Sequence, residues 1–235
     1  MPLLYTKKRA VGSGLTKSMQ IVTLKTSRKK GNNMKSSTLR SVFIALFAAL
    51  ICAGCFISVP LPGLVPITVQ NMFAILSGVL LGNIQGAAAV GIFLVLGSIG
   101  VPVFSGMTGG LAIMTGPTGG FLIGYFLGAL AAGLIAGIPR VAEKKRTVKT
   151  TLRIILATLA GFFCNYLPGI PWFMSVMTSR GKEVDLAFAL KACLIPFIPG
   201  DTIKIVVTII LAMVLRPTVA RYLYPEDATA LESEA

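Results

Sequence analysis

Between Arg40 and Arg140 the chain runs through 99 residues without an Asp, Glu, Lys, Arg or His. A soluble domain carries roughly 25% charged residues, so about 25 would be expected in a stretch of this length. A soluble fold would need them for its own surface. At about 20 apolar residues per helical span, the stretch holds four passages through a bilayer. The chain therefore reads as an integral membrane protein. An apolar content of 54% and a mean hydropathy of +0.82 agree with this.

The net charge of +14 is gathered in blocks beside the apolar runs rather than spread over one face. Residues 1–40 hold ten Lys/Arg and no acid, 140–153 hold six against Glu143, and the tail after Pro225 turns acidic. That arrangement sets membrane topology by the excess of Lys and Arg on the cytoplasmic side. It argues for membrane lipid, and against nucleic acid, as the partner of the basic segments.

Residues 1–34 are basic and lack helical periodicity, which predicts a disordered N-terminal extension. Met34 stands directly before KSSTLR and the first apolar run, and offers an alternative start. A membrane domain is expected over 38–218, followed by an acidic tail at 219–235. The predicted architecture is all-α, with six transmembrane helices near 41–59, 67–81, 87–100, 121–138, 154–177 and 200–215. Pro60, Pro62 and Pro66 should break the chain after the first helix, and GNIQG (82–86) should make a tight turn. The fifth helix is expected to kink or break at Pro168 and Pro171, and the sixth to stop at Arg216-Pro217. Residues 101–120 are glycine-rich and contain Pro102 and Pro117. Irregular backbone of this kind persists at membrane depth only when it is buried in protein or lines a cavity.

Six spans place both termini on one side of a cell membrane. Eighteen Lys/Arg then share the face of the termini, against Arg180, Lys182 and Lys191 on the other. Both termini are expected in the cytoplasm. The glycine-rich loop between the third and fourth helices and the PFIPGD segment share the outer face.

The chemistry available is narrow. Histidine is absent and no Gly-x-x-x-x-Gly-Lys-Ser/Thr loop occurs, so neither an enzyme nor a P-loop ATPase is expected. Cys52 and Cys55 lie inside a predicted span without a second pair, which points to packing rather than to a metal site. No cofactor is implied. Ala45, Ala49 and Ala53 recur every four residues on one face of the first span, a spacing that lets another helix approach closely. Asp201 and Lys204 are the pointed pair. Ionisable groups near the bilayer centre are costly and face a cavity or a partner, and at i and i+3 these two share a helix face. They pair with one another or bind a polar small molecule.

PLPGLVPITVQ (60–70), GSIGVPVFSGMTGG (97–110), GPTGGFLIGYFLGAL (116–130) and PFIPGDTIKIVV (196–207), in this order, resemble the BioY family over roughly 38–218. The resemblance implies a six-helix biotin-binding S component of an energy-coupling factor (ECF) transporter. Its partners would be biotin, a transmembrane coupling subunit and ABC-type ATPases. Some members of the family import biotin without them, so the other expectation is a solitary facilitator or channel for biotin or another small solute. The resemblance puts Asp201 and Lys204 at the biotin contacts of the last helix, and Ala45 and Ala49 at the surface that meets the coupling subunit. Lys204 is able to reach either the ureido oxygen or the carboxylate. Backbone N–H groups around Gly109 and Gly110 would hold the far end of the ligand, with Gln70 and Tyr166 in the wall. Two departures stand out. Asn83 and Gln85 replace the basic residues frequent in the turn after the second helix, and Thr108 replaces an Asn before Gly109-Gly110. A hydroxyl lacks the two groups of an amide, so the hydrogen-bond pattern to the ligand should differ there.

Overall fold

The computed structural model describes residues 37–59, 66–145 and 147–224. The expected N-terminal extension, Pro60, Pro62 and the tail from Pro225 lie outside the described residues. The chain divides into two units after Leu39. In the first unit residues 37–39 are helical. The second unit, from Arg40 onward, carries the helices and cavities described below.

Four helical stretches are long and apolar enough to cross a membrane. They are α1 (Ser37–Phe56), α5 (Gly119–Ala136), α6 (Val148–Ser179) and the run Leu186–Leu223. That run comprises α7 (Leu186–Cys193), a short 3-10 turn and α8 (Ile198–Leu223). The protein is thus a multi-pass helical membrane protein. The second and third expected spans appear as shorter apolar helices, α2 (Gln70–Leu81) and α3 (Asn83–Ser98). Twelve residues rise only about 18 Å, well short of the roughly 30 Å hydrocarbon layer. α2 is short because it is central. Ten of its twelve residues are buried, and it packs on α3, α5, α6 and α8. A helix that is apolar all round belongs inside other helices.

Gly82 ends α2 with φ +68°, and a Cβ there would stand 2.4 Å from the Gly137 carbonyl oxygen. Only glycine allows both the conformation and the approach. A two-stranded antiparallel ribbon, β1 (Ser58–Val59) with β2 (Ile67–Thr68), joins α1 to α2. The 101–118 segment is largely irregular as expected, with one helical turn, α4 (Leu111–Met114). It is pinned by Gly110 N–H to the Gly97 carbonyl at 2.7 Å and by Trp172 Nε1–H to the Gly116 carbonyl at 3.0 Å.

Three boundaries correct the sequence reading. The expected turn over 82–86 narrows to Gly82, since α3 is helical from Asn83. α6 runs unbroken through Pro168 and Pro171, and α8 continues past Arg216-Pro217 to Leu223. A proline removes one helical hydrogen bond, which packing within a bundle can absorb. Arg216 ties this part of α8 to its neighbours. Its side chain is wholly buried, and its guanidinium donates to Val79 O at the end of α2. It also donates to Ala136 O at 3.0 Å and Gly137 O at 3.2 Å at the end of α5. These are the unpaired carbonyls and negative dipole ends of two helices, which a cation satisfies. Glu143 balances the charge, accepting from Arg216 Nε at 2.8 Å and from Arg153 at 2.7 Å.

Candidate functional site

About 15 residues from Arg216, or roughly 22 Å along α8, a second set of buried charges marks the other end of the helix. Asp201 lies in the first turn of α8, where the helix dipole favours an anion. Asp201 and Lys204 are 6% and 7% exposed, so neither charge is met by bulk water. Lys204 Nζ donates to Asp201 Oδ1 and to Asn71 Oδ1, both at 3.1 Å. Asn71 Nδ2 returns a bond to Asp201 Oδ1 at 3.4 Å. Tyr166 of α6 donates its hydroxyl to Asp201 Oδ2. The carboxylate therefore collects three donors from α2, α6 and α8 and holds these helices in register. Such a fully connected buried network is rigid.

Beside it lies a small pocket, about 320 Å³ when the solvent-open space at its mouth is included, whose lining includes Asn71, Phe121, Tyr125, Asn165, Tyr166 and Lys204. A neighbouring space of about 740 Å³, open in part to solvent, shares Pro66, Thr68, Phe121 and Tyr125 with it and reaches Gln70, Phe104, Ser105 and Thr108. Aromatic walls with a few convergent polar groups are the usual form of a small-molecule site. Tyr166 stands edge-on to Phe121 with ring centres 6.1 Å apart, and the Tyr125 hydroxyl lies 3.3 Å from that of Thr68.

The expected residues fall into different roles. Lys204 and Tyr166 form part of the wall of the smaller cavity, whereas Asp201 does not line it and stands behind them. Gln70 lines the larger space but spends both amide hydrogens on Ile51 O at 3.1 Å and Val103 O at 2.7 Å, tying α1 and the glycine-rich segment to α2. Thr108 lines the same space, and its hydroxyl is bonded to Ser105 O at 3.0 Å. Gly109 and Gly110 line neither cavity. The N–H of Gly110 is taken by the Gly97 carbonyl, so that group is not free for a ligand. A Cβ on Gly109 would stand 2.4 Å from Val101 O, so this glycine serves loop packing. Ala45, Ala49 and Ala53 are all exposed along α1, with Val42 and Leu46 beside them.

Asn71, Thr68, Tyr125 and Asn165 were not singled out by sequence. Two carboxamides side by side at Gln70-Asn71, and Asn165 next to Tyr166, inside apolar runs, were the available signal.

A model described as the BioY family matches residues 26–221. The chain is 42% identical over 184 residues to the biotin transporter BioY of Rhodobacter capsulatus, covering 76% of this chain and 92% of that protein. It is 37% identical over 171 residues to the biotin transporter BioY of Thermotoga maritima, covering 73% and 92%. Its fold resembles the crystal structure of the S-component for biotin from an ECF-type ABC transporter. That match has a TM-score of 0.61 and 32% identity, and covers 79% of this chain and 93% of that one. The chain belongs to the BioY family.

Proposed function

We propose that this protein takes biotin up as the membrane-embedded binding subunit of an ECF-type transporter, working with a transmembrane coupling subunit and ABC-type ATPases. The observation that carries this reading is the buried Asn71–Asp201–Lys204–Tyr166 network at the wall of an aromatic-lined cavity. Biotin presents a ureido ring, an apolar thioether ring and a flexible carboxylate arm. Lys204 has three N–H groups, two of which are already directed at Asp201 and Asn71. The third is available to the ureido oxygen. The aromatic wall of Phe121, Tyr125 and Tyr166 suits the fused rings, and the larger, partly open space suits the arm.

In this reading α1, α2, α3, α5, α6 and α8 are the six membrane helices and both termini face the cytoplasm. The exposed apolar residues Phe163, Ile203, Val206 and Ile210 meet lipid. Detergent-purified protein should bind radiolabelled biotin at a ratio of one to one. Binding of another vitamin instead of biotin would overturn the substrate. Uptake that is unchanged when the coupling subunit and its ATPases are withdrawn would favour a solitary facilitator.

The alanine face of α1 supplies a separate test. Placing an indole at exposed Ala49 should block close helix approach while leaving both cavities, whose linings include no α1 residue, untouched. Ala49→Trp is expected to keep biotin affinity and lose coupled uptake. Retained uptake at normal expression would remove Ala45, Ala49 and Ala53 from the docking surface.

A further inference from the structure

We propose that Asn165 contacts the ligand and sets specificity, its carboxamide oxygen accepting one ring N–H of a cyclic urea. This rests on the biotin reading above. Asn165 is 4% exposed and lines the smaller cavity together with Asn71, Tyr166 and Lys204. Its Oδ1 is buried and has no hydrogen-bond partner among the described residues, whereas the polar side chains of the adjacent network are bonded to one another.

An unpaired amide oxygen at bilayer depth is costly, and an apolar side chain would fill the same place without that cost. Asn165 packs on Gly124 of α5, where a Cβ would stand 2.4 Å from the Asn165 backbone oxygen and 2.7 Å from Oδ1. The terminal torsion of Asn is broad and roughly two-fold, so the oxygen can turn from α5 toward the cavity when a donor arrives there.

The hydrogen-bond capacity around Lys204 and Tyr166 suits a cyclic urea. Asp201 accepts from three donors and lies behind the wall. Tyr166 directs its hydroxyl proton at Asp201, so its oxygen can only accept from the cavity. Lys204 retains one donor. Together with the Thr68 and Tyr125 hydroxyls and the Asn71 amide, the wall thus offers one cationic donor, Lys204, and two acceptors, Tyr166 Oη and Asn165 Oδ1. A cyclic urea presents the complement, one carbonyl acceptor flanked by two N–H donors.

The test uses purified wild-type protein and Asn165→Leu with three ligands, biotin and its two isomers methylated at a single ureido nitrogen. The leucine variant should unfold at a temperature no lower than wild type without ligand, since it removes an unpaired buried oxygen. Its biotin affinity should fall about 10- to 100-fold, the loss expected for a ligand donor left unpaired. Wild type should discriminate against both methylated isomers, and the leucine variant against one only. Asn165→Val gives the same readout should leucine be too large beside Gly124. Unchanged biotin affinity in the variant overturns the proposal. So does a parallel fall in ligand-free stability and affinity with discrimination intact, which is the signature of a packing role. Failure of the wild type itself to bind biotin is a different result, and it overturns the functional reading on which the proposal stands.

Discussion

Lys204→Met is expected to weaken biotin binding about 10- to 150-fold, through loss of a charge-assisted hydrogen bond worth about 1.5–3 kcal/mol. The same change should destabilise the ligand-free protein by about 3–5 kcal/mol, because Asp201 is left as a buried charge without its cation. Asp201→Asn tests the other half of the pair. Asp201 stands behind the cavity wall, so its loss should act by releasing Lys204, Tyr166 and Asn71 rather than by removing a ligand contact. The double change Asp201→Asn/Lys204→Met removes both charges and is expected to recover most of the stability while binding stays weak. Calorimetric titration of biotin and thermal unfolding in detergent read the two quantities separately. Recovery of both in the double variant would reduce the pair to a structural ion pair and refute its ligand role.

Arg216→Met should be at least as damaging, and by a different route. It strips the partners from carbonyls at the ends of α2 and α5, and leaves Glu143 with Arg153 alone. Breaking a buried pair by removing one member costs about 3–5 kcal/mol. Arg216→Lys is not expected to restore the loss. A point ammonium cannot reproduce the planar fork that serves Val79, Ala136, Gly137 and Glu143 together. Glu143→Gln combined with Arg216→Met should return only the electrostatic part, since the carbonyls stay uncapped. A melting temperature for Arg216→Met equal to that of wild type would show that this cluster does not hold the three elements together.

These two charge clusters show which parts of the protein were legible in its residues. Asp201 and Lys204 could be found without coordinates because ionisable groups in an apolar run are expensive, and the i, i+3 spacing places them on one face. Asn71 and Asn165 escaped notice because a neutral amide costs less at depth and serves equally as a packing residue. Nothing in a linear pattern tells which helix will face it. The family resemblance places Gln70 in the ligand wall, yet its amide hydrogens are spent on Ile51 and Val103 rather than offered to a ligand. The resemblance also points to Thr108, Gly109 and Gly110, in a segment whose backbone has to bend. Whether their N–H groups point into a cavity or into the loop itself depends on how the loop folds back on Gly97.

The membrane environment and the helical class come from the sequence alone. A charge-free run of 99 residues has one kind of solvent, and backbone groups in that solvent must bond within helices. The pairing of Arg216 with Glu143, 73 residues away, was decided only in three dimensions. Read locally, Arg216-Pro217 marks the end of a span and Glu143 belongs to a basic loop. Packed together, they become the buried cap on two other helices. The physical reason is that a proline and a charge have strong local costs, and those costs can be met by partners that only tertiary packing brings within reach.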